Sequence, residues 1–373
     1  MKTDVLIVGG GLSGLSLARQ LQAANVSYHL AEARSRFGGR IATHYVEHQN
    51  QTGYFDLGPA WFWPGQLRMA QLIQDLGLTS FLQYADGELS FEDETGQVAR
   101  GRGYASMEGS FRVKGGLVSL IDGIQQQLND ANLSLNLRIT ELKHTDLKGT
   151  SQEILATGID ADNNTQSITC QRVVLSLPPR VASERIQFSP ALSATEIQAM
   201  KGIPTWMAGH AKIVAVYEHP FWREAGLSGD AMSRSGPMAE IHDASPEQGG
   251  PYALFGFVGV PATARKQNEA ALRQAAQAQL GRLFGPEALT PITLILQDWA
   301  QEPETATPLD QQPLYTHPAY GLPHALSNLW QGRLMLGSTE VAKNFGGYLE
   351  GALEASEMLF NQLIEKAPDV SEL

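Results

Sequence analysis

The fold class is indicated by one stretch near the start of the chain, Val5-Leu6-Ile7-Val8-Gly9-Gly10-Gly11-Leu12-Ser13-Gly14. Its first four residues are apolar and mostly β-branched, which is typical of a strand buried in a parallel sheet. Leu17 and Leu21 follow at helical spacing and predict a helix. Residues 28–31 predict a second strand, which ends at Glu32. These segments together predict a β-α-β unit with parallel strands.

The glycines of this unit, Gly9, Gly11 and Gly14, have the spacing G-x-G-x-x-G. The first glycine permits a tight turn, the second lets a pyrophosphate approach the backbone, and the third lets helix and strand pack closely. The N-terminus of the helix then offers N–H groups and a positive dipole end to the phosphates. A carboxylate at Glu32 would accept hydrogen bonds from ribose hydroxyls. The unit therefore predicts an adenine dinucleotide site; the alternative is a glycine turn that holds no ligand.

A second glycine pair, Gly38-Gly39, lies between Arg36 and Arg40. It brings a second piece of bare backbone, with guanidinium charge beside it, to a phosphate. A nicotinamide-binding domain rarely needs this second approach. The alternative is an ordinary turn with solvated arginines.

The composition excludes several classes of protein. The 373 residues are 43% hydrophobic and 18% charged, as is usual for a globular protein, and the formal net charge of −12 argues against nucleic acid. Cys170 is the single cysteine, so we expect no internal disulfide and no cysteine-based metal site. The histidines, His242 and His317 among them, show neither metal-ligand spacing nor acidic company, so we expect packing or surface roles and no metal. No apolar run reaches the ~20 residues of a membrane span, and no signal pattern opens the chain, so we expect a cytoplasmic protein.

Beyond the glycine motifs, further segments of the chain match one family in its own order. The sequence resembles the flavin-containing amine oxidases of the monoamine oxidase type, which bind FAD. The matching segments are 55–61, 113–117, 173–179, 212–222, and 337–340 with 346–352.

The resemblance implies an α/β fold in which a Rossmann-like FAD-binding domain is interleaved with an α+β substrate domain that carries a mixed or antiparallel sheet. The lack of internal repeats and of low-complexity linkers in the sequence also favours interleaved domains. We expect residues 1–70, 113–200 and 300–373 to form the FAD-binding domain. Residues 71–112 and 201–299 would form the substrate-binding domain.

The resemblance also implies which residues hold FAD. Glu32 and Arg40 would hold the adenosine ribose and the pyrophosphate, the backbone of Ile139 would meet the adenine, and Glu340 would meet the ribityl–phosphate region. Gly346-Gly347 open the last predicted helix, whose N-terminus would stabilise negative charge at the N1–C2=O edge of reduced flavin. The full set of expected cofactor-binding residues is Gly9, Gly11, Leu12, Ser13, Gly14, Glu32, Ala33, Arg34, Gly39, Arg40, Gly58, Pro59, Ala60, Trp61, Ile139, Gly337, Ser338, Glu340, Gly347 and Tyr348.

Three residues are expected to be catalytic: Lys212, Trp299 and Tyr348. Lys212 interrupts an apolar strand, and a buried lysine is costly unless it is paired. The matching lysine of the family holds a water against flavin N5, the matching tryptophan packs near the isoalloxazine ring, and the matching tyrosine forms one wall of an aromatic cage around the amine. The alternatives are a solvated or salt-bridged lysine, a tryptophan of the core, and a tyrosine that packs at a helix start.

The chain also departs from the family in residues 305–315. This stretch has no cysteine, so we expect FAD to be bound noncovalently. It also has no tyrosine where the second cage wall is expected, because Tyr315 comes several residues late. The missing tyrosine therefore weakens the case for the family's two-tyrosine cage and, with it, for an ordinary arylalkylamine as the substrate. Pro59 takes the place of a family glycine beside the flavin.

These observations predict an FAD-dependent oxidoreductase that oxidises the C–N bond of a small amine by hydride transfer to flavin N5. The imine would be hydrolysed, and O2 or another acceptor would reoxidise the flavin, with H2O2 as the product from O2. One alternative is a desaturase or protoporphyrinogen-type oxidase that acts on C–C or ring positions. Another is a protein-binding escort of the same fold without catalysis, against which the intact glycine motifs argue.

Overall fold

The computed structural model describes residues 1–103, 105–147, 151–312, 314 and 316–365. The chain forms two units, and each is assembled from separate segments. Unit 1 comprises Met1–Arg40, Leu120–Trp206 and Thr316–Leu373, and unit 2 comprises Ile41–Ser119 and Met207–Tyr315.

The strands and helices of the described residues are numbered in chain order, and several strands follow one another without an intervening α-helix. The strands are β1 (Lys2–Val8), β2 (Tyr28–Ala31), β3 (Thr43–His48), β4 (Gln51–Asp56), β5 (Ser80–Leu82), β6 (Glu88–Glu92), β7 (Val98–Gly101), β8 (Phe111–Val113), β9 (Leu133–Ser134), β10 (Arg138–Leu147), β11 (Ser151–Ile159), β12 (Thr165–Leu175), β13 (Gln187–Ser189), β14 (Ala211–Tyr217), β15 (Leu227–Ser233), β16 (Met238–Asp243), β17 (Tyr252–Val258), β18 (Thr293–Asp298) and β19 (Leu334–Leu336). The α-helices are α1 (Leu12–Ala23), α2 (Leu67–Asp75), α3 (Val118–Gln125), α4 (Pro179–Arg185), α5 (Ala194–Gly202), α6 (Phe221–Glu224), α7 (Ala262–Gln267), α8 (Glu269–Phe284) and α9 (Leu349–Glu365).

The sheet of unit 1 contains the predicted β-α-β unit. β1 pairs in parallel with β2 on one side and with β12 on the other, and β12 also pairs in parallel with β19. β11 and β10 extend the sheet with antiparallel pairing. Residues 5–8 of β1 are at most 6% exposed, as their apolar run predicts. The Rossmann-like part of the fold prediction is confirmed.

The sheet of unit 2 has the strand order β18-β14-β17-β16-β15-β6-β7. Its pairs are antiparallel except for β15 with β6, which is parallel, so the sheet is mixed as predicted. β14 lies between β17 and β18 and is buried along its whole length. Apolar side chains of α8, such as Leu272 and Leu280, pack against this sheet.

The boundaries of the two units differ from the predicted domains. Residues 41–70, 113–119 and 300–315, which the sequence places with the FAD-binding segments, belong to unit 2, and residues 201–206 belong to unit 1. The physical reason for the first segment is its packing, because Phe55 and Leu57 share a buried cluster with residues of β14 and β17. Which unit binds which ligand is a question of function and stays a prediction.

Among the described residues, no helix is both long and apolar enough to cross a lipid bilayer. The cytoplasmic location stays a prediction.

Candidate active site

The three positions at the start of α1 are occupied by glycine for different structural reasons. A Cβ on Gly9 (φ 109°) would lie 2.7 Å from the Ser176 carbonyl oxygen, and a Cβ on Gly14 would collide with the Gly9 carbonyl oxygen. These two glycines are therefore required by backbone packing. A Cβ on Gly11 would meet only the Gly38 carbonyl oxygen, at 3.9 Å. Gly11 thus keeps an open space beside the N-terminus of α1, where a phosphate can approach.

The other glycine segments of unit 1 meet at this same helix end. Gly38 and Gly11 form a β-bridge, and the Gly38 N–H donates to the Gly10 carbonyl at 2.8 Å. The Ser13 hydroxyl donates to the Gly337 carbonyl, which belongs to the C-terminal part of the chain. Motifs from three distant parts of the sequence therefore surround one helix N-terminus.

Glu32 is fixed at the end of β2 by backbone groups. Its carboxylate is 4% exposed and accepts the Gly10 N–H at 2.7 Å and the Arg34 N–H at 2.8 Å. The Leu137 N–H donates to the Glu32 carbonyl, so the chain just before Ile139 passes this strand end. A carboxylate has about four acceptor sites, so Glu32 keeps capacity for ribose hydroxyls.

Arg40 and Glu340 form an ion pair with two contacts. Arg40 Nη1 lies 2.5 Å from Glu340 Oε1, and Nη2 lies 3.2 Å from Oε2. The Glu340 side chain is fully buried, whereas that of Arg40 is 25% exposed. Because the guanidinium compensates the buried carboxylate, Glu340 does not present an unpaired charge, and Arg40 keeps an accessible edge.

Tyr348 directly precedes α9 in unit 1. The Thr339 hydroxyl donates to the Tyr348 carbonyl at 2.7 Å, which connects the start of this helix to the segment of Glu340. The ring of His317 stacks on the ring of Tyr348. Tyr315, the late tyrosine of the sequence, lies outside the described residues.

In unit 2, Lys212 is 3% exposed on β14, so it is not the solvated lysine of the alternative interpretation. Its ammonium donates to the carbonyls of Asp56 at 3.0 Å and Gly58 at 2.7 Å. It lies 4.2 Å from the ring centroid of Phe255. Burial, together with the nearby charge of Arg112, lowers the pKa of Lys212 to about 7, against an opposing effect of the Asp56 charge.

The segment from Asp56 to Gly58 is held through three consecutive carbonyls. Lys212 binds the first and the third, and the indole N–H of Trp299 donates to the middle one, Leu57, at 3.0 Å. Lys212 and Trp299, the two residues of unit 2 that the sequence assigns to catalysis, thus donate hydrogen bonds to one short stretch of backbone. That stretch leads directly to Pro59, one of the expected cofactor-binding residues.

The Asp56 side chain anchors the same segment to a second turn. Its Oδ1 accepts the Thr43 hydroxyl at 2.6 Å and the Leu117 N–H at 2.9 Å. Burial raises the pKa of Asp56, and the charges of Arg112 and Lys212 oppose this shift.

Trp61 lies beside an ionic network that the sequence analysis did not anticipate. Its ring stands edge-on to His242 at 5.1 Å between centroids. His242 Nδ1 lies 2.5 Å from Asp230, and Nε2 lies 2.9 Å from Glu240. The expectation that the histidines have no acidic company is therefore wrong for His242. Glu240 lies two residues before His242 on β16, a spacing that the sequence shows, whereas Asp230 is on β15 and reaches His242 through strand pairing that sequence spacing does not show.

The Asp230–His242–Glu240 network is almost completely buried at its centre, because His242 is 1% exposed. Burial by itself would lower the pKa of His242, but the hydrogen bonds and charges of Asp230 and Glu240 outweigh this effect and raise the pKa. The two carboxylates therefore favour the imidazolium form more than water does around a free histidine. No cluster of potential metal ligands occurs in the part of the chain that the structure describes.

Comparison with known proteins decides the family. The family described as flavin containing amine oxidoreductase matches residues 12–104 and 85–358. The chain belongs to this family. Flavin-containing amine oxidoreductases use FAD, so this protein is an FAD-dependent oxidoreductase, and the desaturase and escort alternatives are not favoured.

Similar proteins of this family cover almost the whole chain. The chain is 24% identical to a probable flavin-containing monoamine oxidase A of Dictyostelium discoideum, over 97% of this chain and 98% of that protein. It is 23% identical to the putrescine oxidase of Kocuria rosea, over 81% of this chain and 83% of that protein.

Solved structures of amine oxidases share the fold. Wild-type putrescine oxidase bound to putrescine has a TM-score of 0.80 and 20% identity, and the match covers 98% of this chain and 100% of that one. Cyclohexylamine oxidase from Brevibacterium oxydans has a TM-score of 0.78 and 18% identity, and the match covers 98% of this chain and 99% of that one.

The residues present in unit 1 fit the adenosine and phosphate parts of FAD. The open side of Gly11 leaves a space that a Cβ would fill, and Glu32 is already oriented by two backbone N–H groups. Ser176 and Ser338 carry buried hydroxyls with no hydrogen-bond partner among the described residues. A buried polar group without a partner is costly, and a bound ligand with acceptor oxygens would satisfy it.

The expected site residues are divided between the two units. Unit 2 contains Gly58, Pro59, Ala60, Trp61, Lys212 and Trp299, and unit 1 contains the others. The sequence analysis missed four residues that contact the expected catalytic residues. Asp56, Phe255 and Phe257 contact Lys212, and His317 contacts Tyr348. Asp56 is in a matched segment, and the two phenylalanines alternate along β17 opposite Lys212 and Val214, a signal that needs the strand register. The individual role of each residue toward FAD stays a prediction.

Proposed function

We propose that this protein oxidises the C–N bond of a small primary amine and uses O2 as the electron acceptor. For a primary amine the balance is amine, O2 and water giving a carbonyl compound, ammonia and H2O2. FAD, held noncovalently by the residues of unit 1, would supply the two-electron acceptor for the hydride of the α-carbon and the two electrons that reduce O2. The observation that carries the proposal is the arrangement of Lys212.

Lys212 supplies a proton-carrying group in an apolar surrounding. An ammonium has three donors, and two of them bind the Asp56 and Gly58 carbonyls. The third donor is available to hold a water or to give a proton during oxygen reduction. With a pKa of about 7, Nζ gains or loses this proton at little cost near neutral pH. The rings of Trp61, Phe255 and Phe257 around Nζ restrict the access of bulk water.

Trp299 and Tyr348 have positioning and binding roles in this proposal. The indole of Trp299 fixes the Leu57 carbonyl, so it maintains the backbone that leads to Pro59. Tyr348 offers a ring face to a neutral amine. No dedicated base is needed when the amine binds in its unprotonated form.

The names of the relatives support an aliphatic amine. One relative is a putrescine oxidase, and one structural neighbour is a cyclohexylamine oxidase, and both names refer to aliphatic amines. We therefore place small aliphatic amines first among the candidate substrates.

The test is to purify the protein, record its visible spectrum, and add aliphatic and aromatic amines one at a time under nitrogen. We expect a yellow protein that an aliphatic amine bleaches, with one H2O2 formed per amine when air is admitted. Acid precipitation should release the flavin. A yellow protein that no amine bleaches would contradict the proposed function, and colour retained in the precipitate would contradict noncovalent attachment.

A further inference from the structure

A group of rings surrounds the start of α9 in unit 1. The centroids of His317 and Tyr348 are 4.7 Å apart and their planes differ by 16°, which is an offset-stacked pair. Trp206 meets the same imidazole at 4.7 Å and 62°, and Tyr320 meets it at 5.4 Å and 84°. His317 is therefore the central ring of the group.

The backbone leaves room for this arrangement at Gly347. Gly347 has φ 84°, and a Cβ at this position would lie 2.9 Å from His317 Nε2, 3.0 Å from the Tyr320 ring and 3.2 Å from Trp206. Any other residue would be strained at this φ and would displace the imidazole. The glycine next to Tyr348 thus permits His317 to lie against the tyrosine ring.

We infer that His317 is a positioning residue for Tyr348 and so helps to determine which amines bind. This inference rests on the proposed function. At 4.7 Å between centroids, no amine fits between the two rings. In an aromatic cage, two rings face each other across the amine. Here the His317 and Tyr348 rings stack directly on each other instead, so the amine contacts the face of the Tyr348 ring that points away from His317.

Two features of the ring group support a binding role over simple core packing. His317 is exposed and Tyr348 is half-buried, so the pair is accessible to a small molecule. The Trp206 carbonyl accepts a hydrogen bond from Arg40, which also binds Glu340, so the group is continuous with the residues expected at the cofactor.

The test measures amine binding without turnover. tert-Butylamine is a small aliphatic amine that has no α-hydrogen, so it cannot be oxidised and its binding to the holoenzyme can be followed by the change in the flavin spectrum. We expect His317→Ala to weaken this binding by about two- to tenfold, the range for one aromatic pair. His317→Phe keeps a stacking ring and should stay within about twofold of the unmodified protein. His324→Ala, at an exposed histidine of the same unit, is the matched control and should change nothing.

A double-mutant cycle distinguishes positioning from a general structural effect. If His317 acts through Tyr348, His317→Ala should have no further effect on binding when Tyr348→Ala is already present. The same pair of substitutions should also show coupling in thermal unfolding, which needs no amine. Equal effects of His317→Ala in both backgrounds, or failure of the phenylalanine variant to restore binding, would overturn the inference while the proposed function stands. An unmodified protein that neither binds this amine nor is bleached by any oxidisable amine would overturn both.

Discussion

Replacing Lys212 by methionine tests the central physical feature of unit 2, a buried ammonium that donates to two backbone carbonyls and is surrounded by aromatic rings. Burial lowers the pKa of Lys212 from 10.5 to about 7. Each unit of this shift corresponds to about 1.4 kcal/mol, so the charged lysine destabilises the fold by roughly 5 kcal/mol below the folded pKa. Because the unfolded chain binds more protons between the two pKa values, this penalty decreases as the pH rises from about 7 to about 10.5.

Methionine has a similar length and no charge, so Lys212→Met removes this pH dependence. The substitution also leaves the Asp56 and Gly58 carbonyls without a donor, at a cost of about 1–3 kcal/mol each. Near neutral pH, the loss of these hydrogen bonds and the removal of the charge penalty largely offset each other, so the net change in the free energy of unfolding is small. This change nevertheless depends strongly on pH. We expect the unfolding free energy of Lys212→Met, relative to that of the unmodified protein, to fall by about 4 kcal/mol between about pH 6 and about pH 10.

The assay is urea unfolding of the two proteins with FAD in excess, followed by far-ultraviolet circular dichroism at each pH. Lys266→Met, at an exposed lysine of α7 in the same unit, is the control and should give a constant difference. A difference for Lys212→Met that is equally constant over this pH range would refute the argument. It would mean that Lys212 ionises in the folded protein as it does in the unfolded chain.

Three further predictions follow from the same structure. Lys212→Met should slow the reoxidation of the flavin by O2 far more than it weakens FAD binding, and equal reoxidation rates in stopped flow would remove Lys212 from the mechanism. Gly11→Ala should lower FAD affinity by tenfold or more with little loss of secondary structure, because its Cβ enters the open space beside α1; FAD titration of the apoprotein checks this, and an unchanged affinity would mean that no phosphate lies there. His242→Gln should destabilise the protein more at about pH 6 than at about pH 9, because the raised pKa of His242 means that the charged form stabilises the fold at low pH and this contribution is lost as the pH rises through the folded pKa. Urea unfolding at both pH values measures this difference, and equal destabilisation would contradict a charged imidazole.

Much of the fold of unit 1 was determined by the sequence alone. The β-α-β unit could be predicted because an apolar run, a glycine turn and a helical repeat are all local patterns, and each depends only on neighbouring residues. The same holds for Glu32, whose position at a strand end follows directly from the strand, and for the burial of Lys212, which an otherwise apolar strand implied. The combination of short motifs in family order was also sufficient for the family and its cofactor.

The partners of these residues were decided only by the tertiary structure. Arg40 pairs with Glu340, Trp299 binds the Leu57 carbonyl, and His317 stacks on Tyr348, and none of these pairs is marked by spacing in the sequence. Each contact depends on how distant segments are brought together by strand pairing and helix packing. A side chain shows its chemistry in the sequence, but the charge, carbonyl or ring that it meets depends on strand register and on the whole packed core.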